Sequence, residues 1–351
     1  MKYYAGLDVS LEETAVVVVD DGGAVVRDVK VASDPGALIE YFGRCGLGLE
    51  RIGLEAGPMS QWLCAGLRAA GLPVVCLEAR QVKAALSAQK NKTDRNDARG
   101  IAQIVRTGWY QPVHIKSRWA QEMRVLLTNR RMLSNQRQAI DNELRGILRN
   151  FGLKVGKVGR GRGKFEARVR ELVAQAPSLE AMVAPMLTVR AVLVTEFERL
   201  HRMLLLVVRA DATCRQMMTM PGIGPVTALS YVSGVDDPGR FQSSQSVGAH
   251  FGMTPRRYQS GEMDFNGRIS KCGDELVRTA LYEAATVLLT RVKKPSSLRD
   301  WGLRVARNRG MGKAKIAVAR RMAVVLHRMW VDGTAFAANP SPREQALPLA
   351  A

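Results

Sequence analysis

Two aspartates, Asp94 and Asp97, lie three residues apart in the basic segment KNKTDRNDARG (90–100). Residues at this spacing share one face of a helix, so the two carboxylates would point the same way at the start of a predicted helix. Asp8 in the apolar run YYAGLDVS and Glu55 in the run RIGLEAG each fall near the end of a predicted strand. We expect these four carboxylates to converge at one edge of a sheet.

Carboxylates held together need a cation, because they cannot all remain ionised beside one another. Mg²⁺ or Mn²⁺ would suit this site, since such ions bind oxygen and leave positions for water and phosphate. Two ions ~3.5–4 Å apart would stabilise the attacking and leaving oxygens of an in-line phosphoryl transfer. The neighbouring Lys92 and Arg95 would then hold the phosphates of the substrate. Taken singly, each acid is better explained by a structural role, as a helix-terminal charge or a buried polar residue; taken together they favour a metal site.

The charge distribution indicates a polyanionic partner. The 351-residue chain has a net charge of +20. Residues 1–116 contain 14 basic and 13 acidic side chains, which leaves 38 and 19 for the remainder. A strongly basic region is typical of a nucleic-acid binder. A membrane partner is not expected, since we find no lipidation motif and no apolar run of the ~20 residues that span a bilayer.

Cysteine usage and the N-terminus favour a cytoplasmic protein. The five cysteines are scattered without a C-x-x-C pair, which argues against a disulfide framework or a zinc site. MKYYAGLDVS reaches an aspartate too early for a signal peptide.

The hydrophobic pattern over residues 1–116 predicts an α/β domain with a mixed sheet. Three strands come first, and strands then alternate with helices. Asp34 and Thr93 are expected to cap two of the helices. In the helix after Thr93, the face that carries the aspartates continues into Ile101 and Val105, which should pack on the sheet.

The rest of the chain is predicted to be mainly helical. Residues 117–214 show the periodicity of a coiled-coil pair, with a basic Gly-rich linker at 154–164 followed by more helix from about Phe165 to Ala210; an ordinary helical subdomain explains the same pattern. A third region covers 215–336. The Pro/Ala-rich tail, 337–351, is expected to be disordered.

Two glycines in PGIGPVTA (221–228), Gly222 and Gly224, form a turn before a predicted helix. Backbone N–H groups in such a turn can hold a phosphate without reading sequence, as in a helix-hairpin-helix. A plain connection between two helices is the alternative interpretation.

The segment TPRRYQSGE (254–262) offers a nucleophile, because an exposed loop serine, Ser260, follows Arg256 and Arg257. Guanidinium groups beside a serine would steady the charge that develops when it attacks a phosphodiester. Most Ser-Gly pairs are simply turns, so spacing alone leaves catalysis the minority interpretation.

A second serine, Ser270, lies in GRISKCGDELVRTAL (267–281) and is interpreted as a helix-cap region. Lys271 and Arg278 are the predicted phosphate contacts there. Beyond it, residues 291–321 form a predicted basic helical surface.

In their order and spacing, these segments resemble the DEDD-type insertion-sequence transposases, a family of bridge-RNA-guided serine recombinases that includes the pilin-gene invertase. GLDVS, LEAG and NKTDRNDA are similar to its RuvC-like, ribonuclease-H-like motifs, which implies metal ligands at Asp8, Glu55, Asp94 and Asp97. MPGIGPVTA, GMTPRRYQSG and GRISKCGDELVRTAL are similar to its C-terminal transposase domain. One departure is PMSQW after LEAG, which leaves Glu55 in place.

The resemblance implies a mechanism as well as a fold. Ser260 would form a covalent phosphoserine link to DNA, helped by Mg²⁺ at the four acids. The two domains would form a composite site across the subunits of a dimer or tetramer. A structured noncoding guide RNA would pair with donor and target DNA, so that base pairing supplies sequence choice. The setting would be the nucleoid in a prokaryotic cytoplasm.

Other functions fit parts of the pattern. A metal-dependent junction endonuclease would use water and leave Ser260 idle, and a site-specific DNA invertase would act without a guide RNA. A non-enzymatic nucleic-acid-binding protein would use the acids only structurally. A sugar-kinase-like protein shares the strand order, but the chain lacks a second phosphate loop and its charge argues against it.

Overall fold

The structure is a computed structural model that describes residues 1–87, 89, 91–159, 163–261 and 263–339. The chain divides into two compact units, Met1–Lys116 and Ser117–Ala351. Residues 160–162 of the predicted linker and 340–351 of the predicted tail lie outside the described residues.

A five-stranded mixed sheet forms the centre of the first unit. Its strands are β1 (Tyr3–Val9), β2 (Glu13–Asp20), β3 (Val25–Ala32), β4 (Leu49–Glu55) and β5 (Val74–Leu77). They are ordered β3-β2-β1-β4-β5, with β1, β2 and β3 antiparallel and β1, β4 and β5 parallel. The mixed sheet is confirmed, and its order is that of a ribonuclease-H-like fold.

Helices cover both faces of this sheet. They are α1 (Pro35–Arg44), α2 (Ser60–Ala69), α3 (Ala79–Leu86) and α4 (Asp94–Thr107). The predicted caps are confirmed, because Asp34 accepts from the N–H groups of α1 and Thr93 accepts from that of Asn96. Leucines of α1 and α2 pack with Leu7 and Leu54 on one face, whereas α4 packs on the other.

The approach of α4 to the sheet depends on a glycine in β1. A Cβ at Gly6 would lie 2.0 Å from the carbonyl oxygen of Ala98 and 2.4 Å from the amide nitrogen of Ala102. A Cβ at Gly53 in β4 would lie 2.4 Å from Val105 Cγ1. Only a residue without a side chain lets the helix backbone lie this close to the strand.

The same contacts fix which way the acids point. Side chains alternate between the two faces of a strand, so Asp8 shares the α4 face with Gly6. Glu55 shares that face with Gly53 by the same rule. Leu7 pairs with Leu54 in the β1–β4 register, which places Asp8 and Glu55 side by side at the carboxyl ends of two parallel strands.

The second unit is mainly helical, with one hairpin. Its helices are α5 (Arg118–Asn150), α6 (Lys164–Val173), α7 (Pro177–Ala210), α8 (Ala212–Met217), α9 (Pro225–Val235), α10 (Ser246–His250), α11 (Glu275–Thr290), α12 (Ser297–Arg309) and α13 (Met311–Asp332). Strands β6 (Pro255–Ser260) and β7 (Met263–Ile269) form an antiparallel hairpin.

Two features of this unit were not predicted. The helical stretch expected from about Phe165 to Ala210 is divided into α6 and α7, because the residue before Pro177 is pushed out of the helical region of backbone space. The hairpin was not predicted, since its strands lack the buried alternating residues from which strands are recognised.

Helices α5 and α7 form an antiparallel pair. Arg130 Nε donates to His201 Nδ1 at 3.2 Å, and Arg190 Nε donates to Asp141 Oδ1 at 2.5 Å. Residue numbers therefore rise along one helix as they fall along the other. The coiled-coil geometry stays a prediction.

A buried ion cluster ties α6 to this pair. Arg190 of α7 bonds Asp141 of α5 and Glu166 of α6, and all three residues are buried. The Arg190 guanidinium also lies over the Phe165 ring, 4.5 Å from its centroid. Buried charges are tolerated only when they are paired in this way, so the cluster fixes how three helices meet.

One helix in the described part of the chain, α7, is long and apolar enough to cross a membrane by length and composition alone. This differs from the expectation that no such run exists. Leu187 and Leu204 of α7 are buried in contact with protein, and Arg190 is ion-paired. A single helix of this kind is weak evidence of a span.

We expect Gly6→Ala to destabilise the first unit by about 2–3 kcal/mol, because its methyl group would overlap the backbone of α4. Thermal and urea unfolding would measure the loss. Gly43→Ala is the matched control, since a Cβ at Gly43 meets nothing within 4 Å in helix α1. Equal stability of both variants would contradict the close approach.

Replacing Arg190 with methionine should cost about 3–5 kcal/mol, because Asp141 and Glu166 would be left buried without a counter-charge. Adding Asp141→Leu and Glu166→Leu should restore most of the free energy of unfolding. Urea unfolding of the single and triple variants tests this, and an equally unstable triple variant would contradict it.

Candidate active site

The predicted acids of the two strands are electrostatically linked. Burial raises the pKa of Asp8, and the carboxylates of Asp97 and Asp94 raise it further. Loss of water around its carboxylate raises the pKa of Glu55, with smaller contributions from Asp8 and Asp97. Each carboxylate is thus ionised less readily in the folded chain, as expected for like charges held close together.

The other two acids begin α4. Asp94 is its first residue and is exposed, whereas the side chain of Asp97 is only 16% exposed. Ile101 and Val105, further along the helix, are buried against the sheet as predicted. Because α4 packs on β1 at Gly6, its first turn lies over the end of that strand, where Asp8 is located.

A cation suits this set of donors. Four carboxylates lie in this part of the fold. The cation described beside them is Lys92, whose Nζ lies 4.0 Å from Asp97 Oδ2 and whose side chain is 88% exposed. Within the described residues, no three Asp, Glu, His or Cys side chains are already arranged to hold a metal. Asp8 nevertheless interacts with Asp94 and Asp97, and Glu55 with Asp8 and Asp97, through carboxylate oxygens of the kind that Mg²⁺ or Mn²⁺ prefers, and the ligand set stays a prediction.

A fifth carboxylate, Glu78, was missed by sequence analysis. It follows β5 directly and raises the pKa of Glu55. It also caps α3 by accepting from the N–H of Gln81 at 2.8 Å. The signal was present, because Leu-Glu-Ala occurs at the end of both β4 and β5 in the sequence.

The two basic residues predicted to contact phosphate near the start of α4 differ in how strongly they are already paired with acids. The predicted phosphate contact Arg95 is paired with Asp28 of β3, although its side chain is 71% exposed. Lys92 is the freer of the two predicted contacts, since its one ion pair, with Asp97, is long.

In the second unit, Ser260 is the last residue of β6 and is exposed at the hairpin turn. It was predicted to lie in a loop; it instead ends a strand paired with Met263 of β7, and Gly261 follows in the left-handed region with φ of 55°. Within the described residues its Oγ has no hydrogen-bond partner. The serine is therefore accessible and held by a defined backbone.

The two arginines before Ser260 are engaged elsewhere. Arg257 donates to Asp264 through Nε at 2.9 Å and Nη2 at 2.6 Å. Arg256 Nη2 donates to the carbonyl oxygen of Ser270 at 3.3 Å. Arg257 precedes Tyr258 in the strand, so it lies on the face opposite to Ser260 and does not supply charge beside its hydroxyl.

In the turn before α9, one of the two glycines, Gly222, is required for close packing. Gly222 has φ of 92°, and a Cβ there would lie 2.7 Å from the carbonyl oxygen of Ala284 in α11. Gly224 caps α9 and has open space beside it. Phosphate binding at this turn would thus involve Gly224, while Gly222 is covered by a helix. The helix-hairpin-helix assignment stays a prediction.

The segment after β7 is shaped by its own hydrogen bonds. Asp274, not Ser270, caps α11, because its carboxylate accepts from the N–H groups of Leu276 and Val277. Arg278 Nη1 donates to the carbonyl oxygens of Phe251 and Cys272, both at 3.2 Å, so it holds the loop together. Lys271 is exposed and remains available for a phosphate.

The fold and the carboxylate cluster together define an enzyme that acts on phosphodiester bonds of nucleic acid. Residues 5–152 match the model of the DEDD transposases of the IS110 type, and residues 214–300 match that of the IS116/IS110/IS902 transposase family. The transposase of insertion sequence element IS1111A from Coxiella burnetii is 30% identical, over 73% of this chain and 71% of its own length. The chain belongs to this transposase family and is a DNA-cleaving and DNA-rejoining enzyme.

Further relatives agree with this assignment. A probable family 20 transposase of Pseudomonas aeruginosa is 27% identical over 78% of this chain and 82% of its own. Among solved structures, Thermus thermophilus RuvC in complex with a Holliday junction substrate is 18% identical, covers 32% of this chain and all of its own (100%), and gives a TM-score of 0.26. A likeness this weak carries no argument, so the fold assignment rests on strand order.

One part of the family description is corrected by these matches. The sequence analysis named the family a serine recombinase family, whereas the matched models are transposase families with DEDD acids and are not serine recombinases. The role of Ser260 as a nucleophile follows from the resemblance, and it stays a proposal.

Asp8→Asn should raise the melting temperature of the metal-free protein by about 2–4 °C, since it removes one repelling charge worth roughly 1 kcal/mol. Mg²⁺ should stabilise the wild type, because an ion that binds only the folded state shifts the unfolding equilibrium. Asp8→Asn should lose that response.

Thermal unfolding with and without Mg²⁺ measures both effects. The control is Asp34→Asn, since asparagine caps α1 as well as aspartate does and Asp34 belongs to no cluster. An unchanged Mg²⁺ response in Asp8→Asn would remove Asp8 from the metal site.

Proposed function

We propose that this transposase cuts and rejoins the DNA of its insertion sequence through a Ser260 nucleophile, with a divalent metal bound by Asp8, Glu55, Asp94 and Asp97. The observation that carries the proposal is that α4, packed on β1 at Gly6, brings Asp94 and Asp97 close enough to raise the pKa of Asp8, with Glu55 beside Asp8 on the neighbouring strand. The exposed hydroxyl at the end of β6 supplies the attacking group.

The reaction conserves the phosphodiester bond. Ser260 Oγ attacks phosphorus and loses its proton, an Oγ–P bond forms, and the P–O bond to one deoxyribose breaks while the departing oxygen gains a proton. A second DNA hydroxyl then attacks the phosphoserine and releases Ser260. No outside energy source is needed, because each step exchanges one phosphoester for another.

The acidic side chains would hold the metal and orient the phosphate. When bound, a divalent ion lowers the barrier by neutralising charge on the phosphate oxygens. Lys92 is positioned to contact the neighbouring backbone phosphate, and Lys271 and Gly224 could do so in the second unit. Arg95 would contribute after exchanging its Asp28 partner.

Several partners rest on the family resemblance alone. We propose a structured noncoding guide RNA that pairs with donor and target DNA, and a homo-oligomer, either a dimer or a tetramer. We also propose action on the nucleoid in a prokaryotic cytoplasm. The excess of positive charge after residue 116 supports a nucleic-acid partner, and RNA and DNA would satisfy it equally.

A metal-dependent endonuclease is the second candidate. It is favoured by one observation: Arg257 is committed to Asp264 on the face opposite to Ser260, so the hydroxyl lacks the cationic neighbour expected for a nucleophile. In that case water would attack and Ser260 would be dispensable.

Incubation with element-end DNA, the flanking noncoding RNA and Mg²⁺ should give a protein–DNA adduct that survives denaturing electrophoresis. Ser260→Ala should reduce the adduct at least about 100-fold, because no other group replaces the attacking oxygen. Asp94→Ala should reduce it comparably through loss of a metal ligand.

Ser270→Ala is the matched control and should retain the adduct, since its hydroxyl belongs to the loop after β7. Cleavage without an adduct that persists in Ser260→Ala would establish the endonuclease instead. An adduct that forms equally well without RNA would exclude the guide.

A further inference from the structure

The hairpin that carries Ser260 is almost wholly solvent-exposed. Every residue of Pro255–Ser260 is exposed, and β7 has only two partly buried positions, Gly267 and Ile269. Strands β6 and β7 pair with each other and with no other strand in the described chain. Two strands with so little buried surface are marginal alone, so this hairpin is suited to be completed by a partner.

One face of the hairpin is apolar and aromatic. Tyr258 is paired with Phe265, and Ser260 is paired with Met263. Paired residues, and residues two apart on one strand, share a face, so all four side chains lie together. Tyr258, Phe265 and Met263 are 48%, 57% and 65% exposed. A serine candidate for catalysis therefore lies on the same surface as exposed aromatic rings.

The rings are arranged as a platform. Tyr258 and Phe265 have centroids 5.1 Å apart and planes inclined by 21°. Gly267 lies beneath the tyrosine, because a Cβ there would approach Tyr258 Cε2 to 3.1 Å. The glycine thus leaves room for the Tyr258 ring, which is stacked on the ring of Phe265.

The surrounding charge indicates what covers this platform. On the opposite face Arg257 and Asp264 neutralise one another. Lys271, exposed just beyond β7, adds positive charge, whereas Arg268 lies three residues after Phe265 on the opposite face. Exposed aromatic rings together with nearby cations are the combination that binds the bases and phosphates of an unpaired strand, because every base has a π-face for stacking.

We propose that Tyr258 and Phe265 stack against an unpaired nucleobase of the DNA strand whose phosphate Ser260 attacks. This deepens the proposed function and rests on it. Bases within an intact duplex already stack on each other, so the platform selects DNA that is locally unpaired. Ser260 is two residues from Tyr258 on the same face, roughly 7 Å along the strand, and an adjacent phosphate would fall near its hydroxyl. Tyr258 and Phe265 are positioning residues in this scheme.

Binding of full-length protein carrying Ser260→Ala tests the proposal, since that background leaves the DNA intact. The probes are a fluorescent duplex of an element end, the same duplex with a short single-stranded gap, and the gapped duplex with RNA as its continuous strand. Fluorescence anisotropy should show tighter binding to the gapped DNA. Tyr258→Leu with Phe265→Leu should weaken that binding about tenfold, the value of one stacked base, and leave the paired duplex unchanged.

Met263→Leu is the matched control, because it changes an exposed apolar side chain on the same face without removing a ring; it should retain the preference for the gap. The proposal is overturned if the double leucine variant keeps that preference. Tighter binding of the RNA-containing probe than of the gapped DNA would overturn the assignment to DNA. A change in oligomeric mass with unchanged DNA binding would overturn it in favour of a protein contact.

These results are separable from the identity of the nucleophile. Adduct formation by the double leucine variant with intact Ser260 should fall on gapped DNA in step with its weaker binding to that probe. Adduct formation in Ser260→Ala would refute the nucleophile, whereas the binding preference of the platform would still be measured in that same background.

Discussion

The close approach of α4 to β1 at Gly6 is the contact on which the acidic cluster depends. The helix backbone occupies the space where a side chain would stand, with Ala98 and Ala102 against the strand. This brings the first turn of α4, with Asp94 and Asp97, to the end of β1. A larger residue at position 6 would lift the helix and separate its carboxylates from Asp8, so packing in the core sets the spacing of the site.

Charge and packing oppose each other in the first unit. Apolar contacts of Ile101 and Val105 stabilise α4 on the sheet, while the acids that it delivers, Asp94 and Asp97, raise the pKa of Asp8. Repulsion between these carboxylates thus destabilises the folded state locally, and a bound divalent ion would relieve that repulsion. This unit is nearly neutral overall, so the excess positive charge that would attract a nucleic acid lies after residue 116.

In the second unit, some of the residues predicted to bind or attack nucleic acid are used for packing, whereas others are left exposed. Gly222 and Arg278, which resemble phosphate-binding residues in sequence, are committed to packing on α11 and to bonding a loop. The hairpin of β6 and β7 does the opposite, since it leaves its aromatic residues and Ser260 in solvent. Exposed apolar side chains, which are unfavourable in water, are thus concentrated beside the Ser260 hydroxyl that is proposed to attack DNA.

The sequence by itself determined the mixed sheet, the caps at Asp34 and Thr93 and the four acids, because these follow from local hydrophobic period and from residue type at strand and helix ends. It did not reveal the break before Pro177, the β6–β7 hairpin or Glu78. The hairpin buries almost nothing, so it has no hydrophobic pattern to read. Partners such as Asp28 for Arg95 and Asp264 for Arg257 were decided only by tertiary structure, since a cation's availability depends on which acid the fold brings within reach.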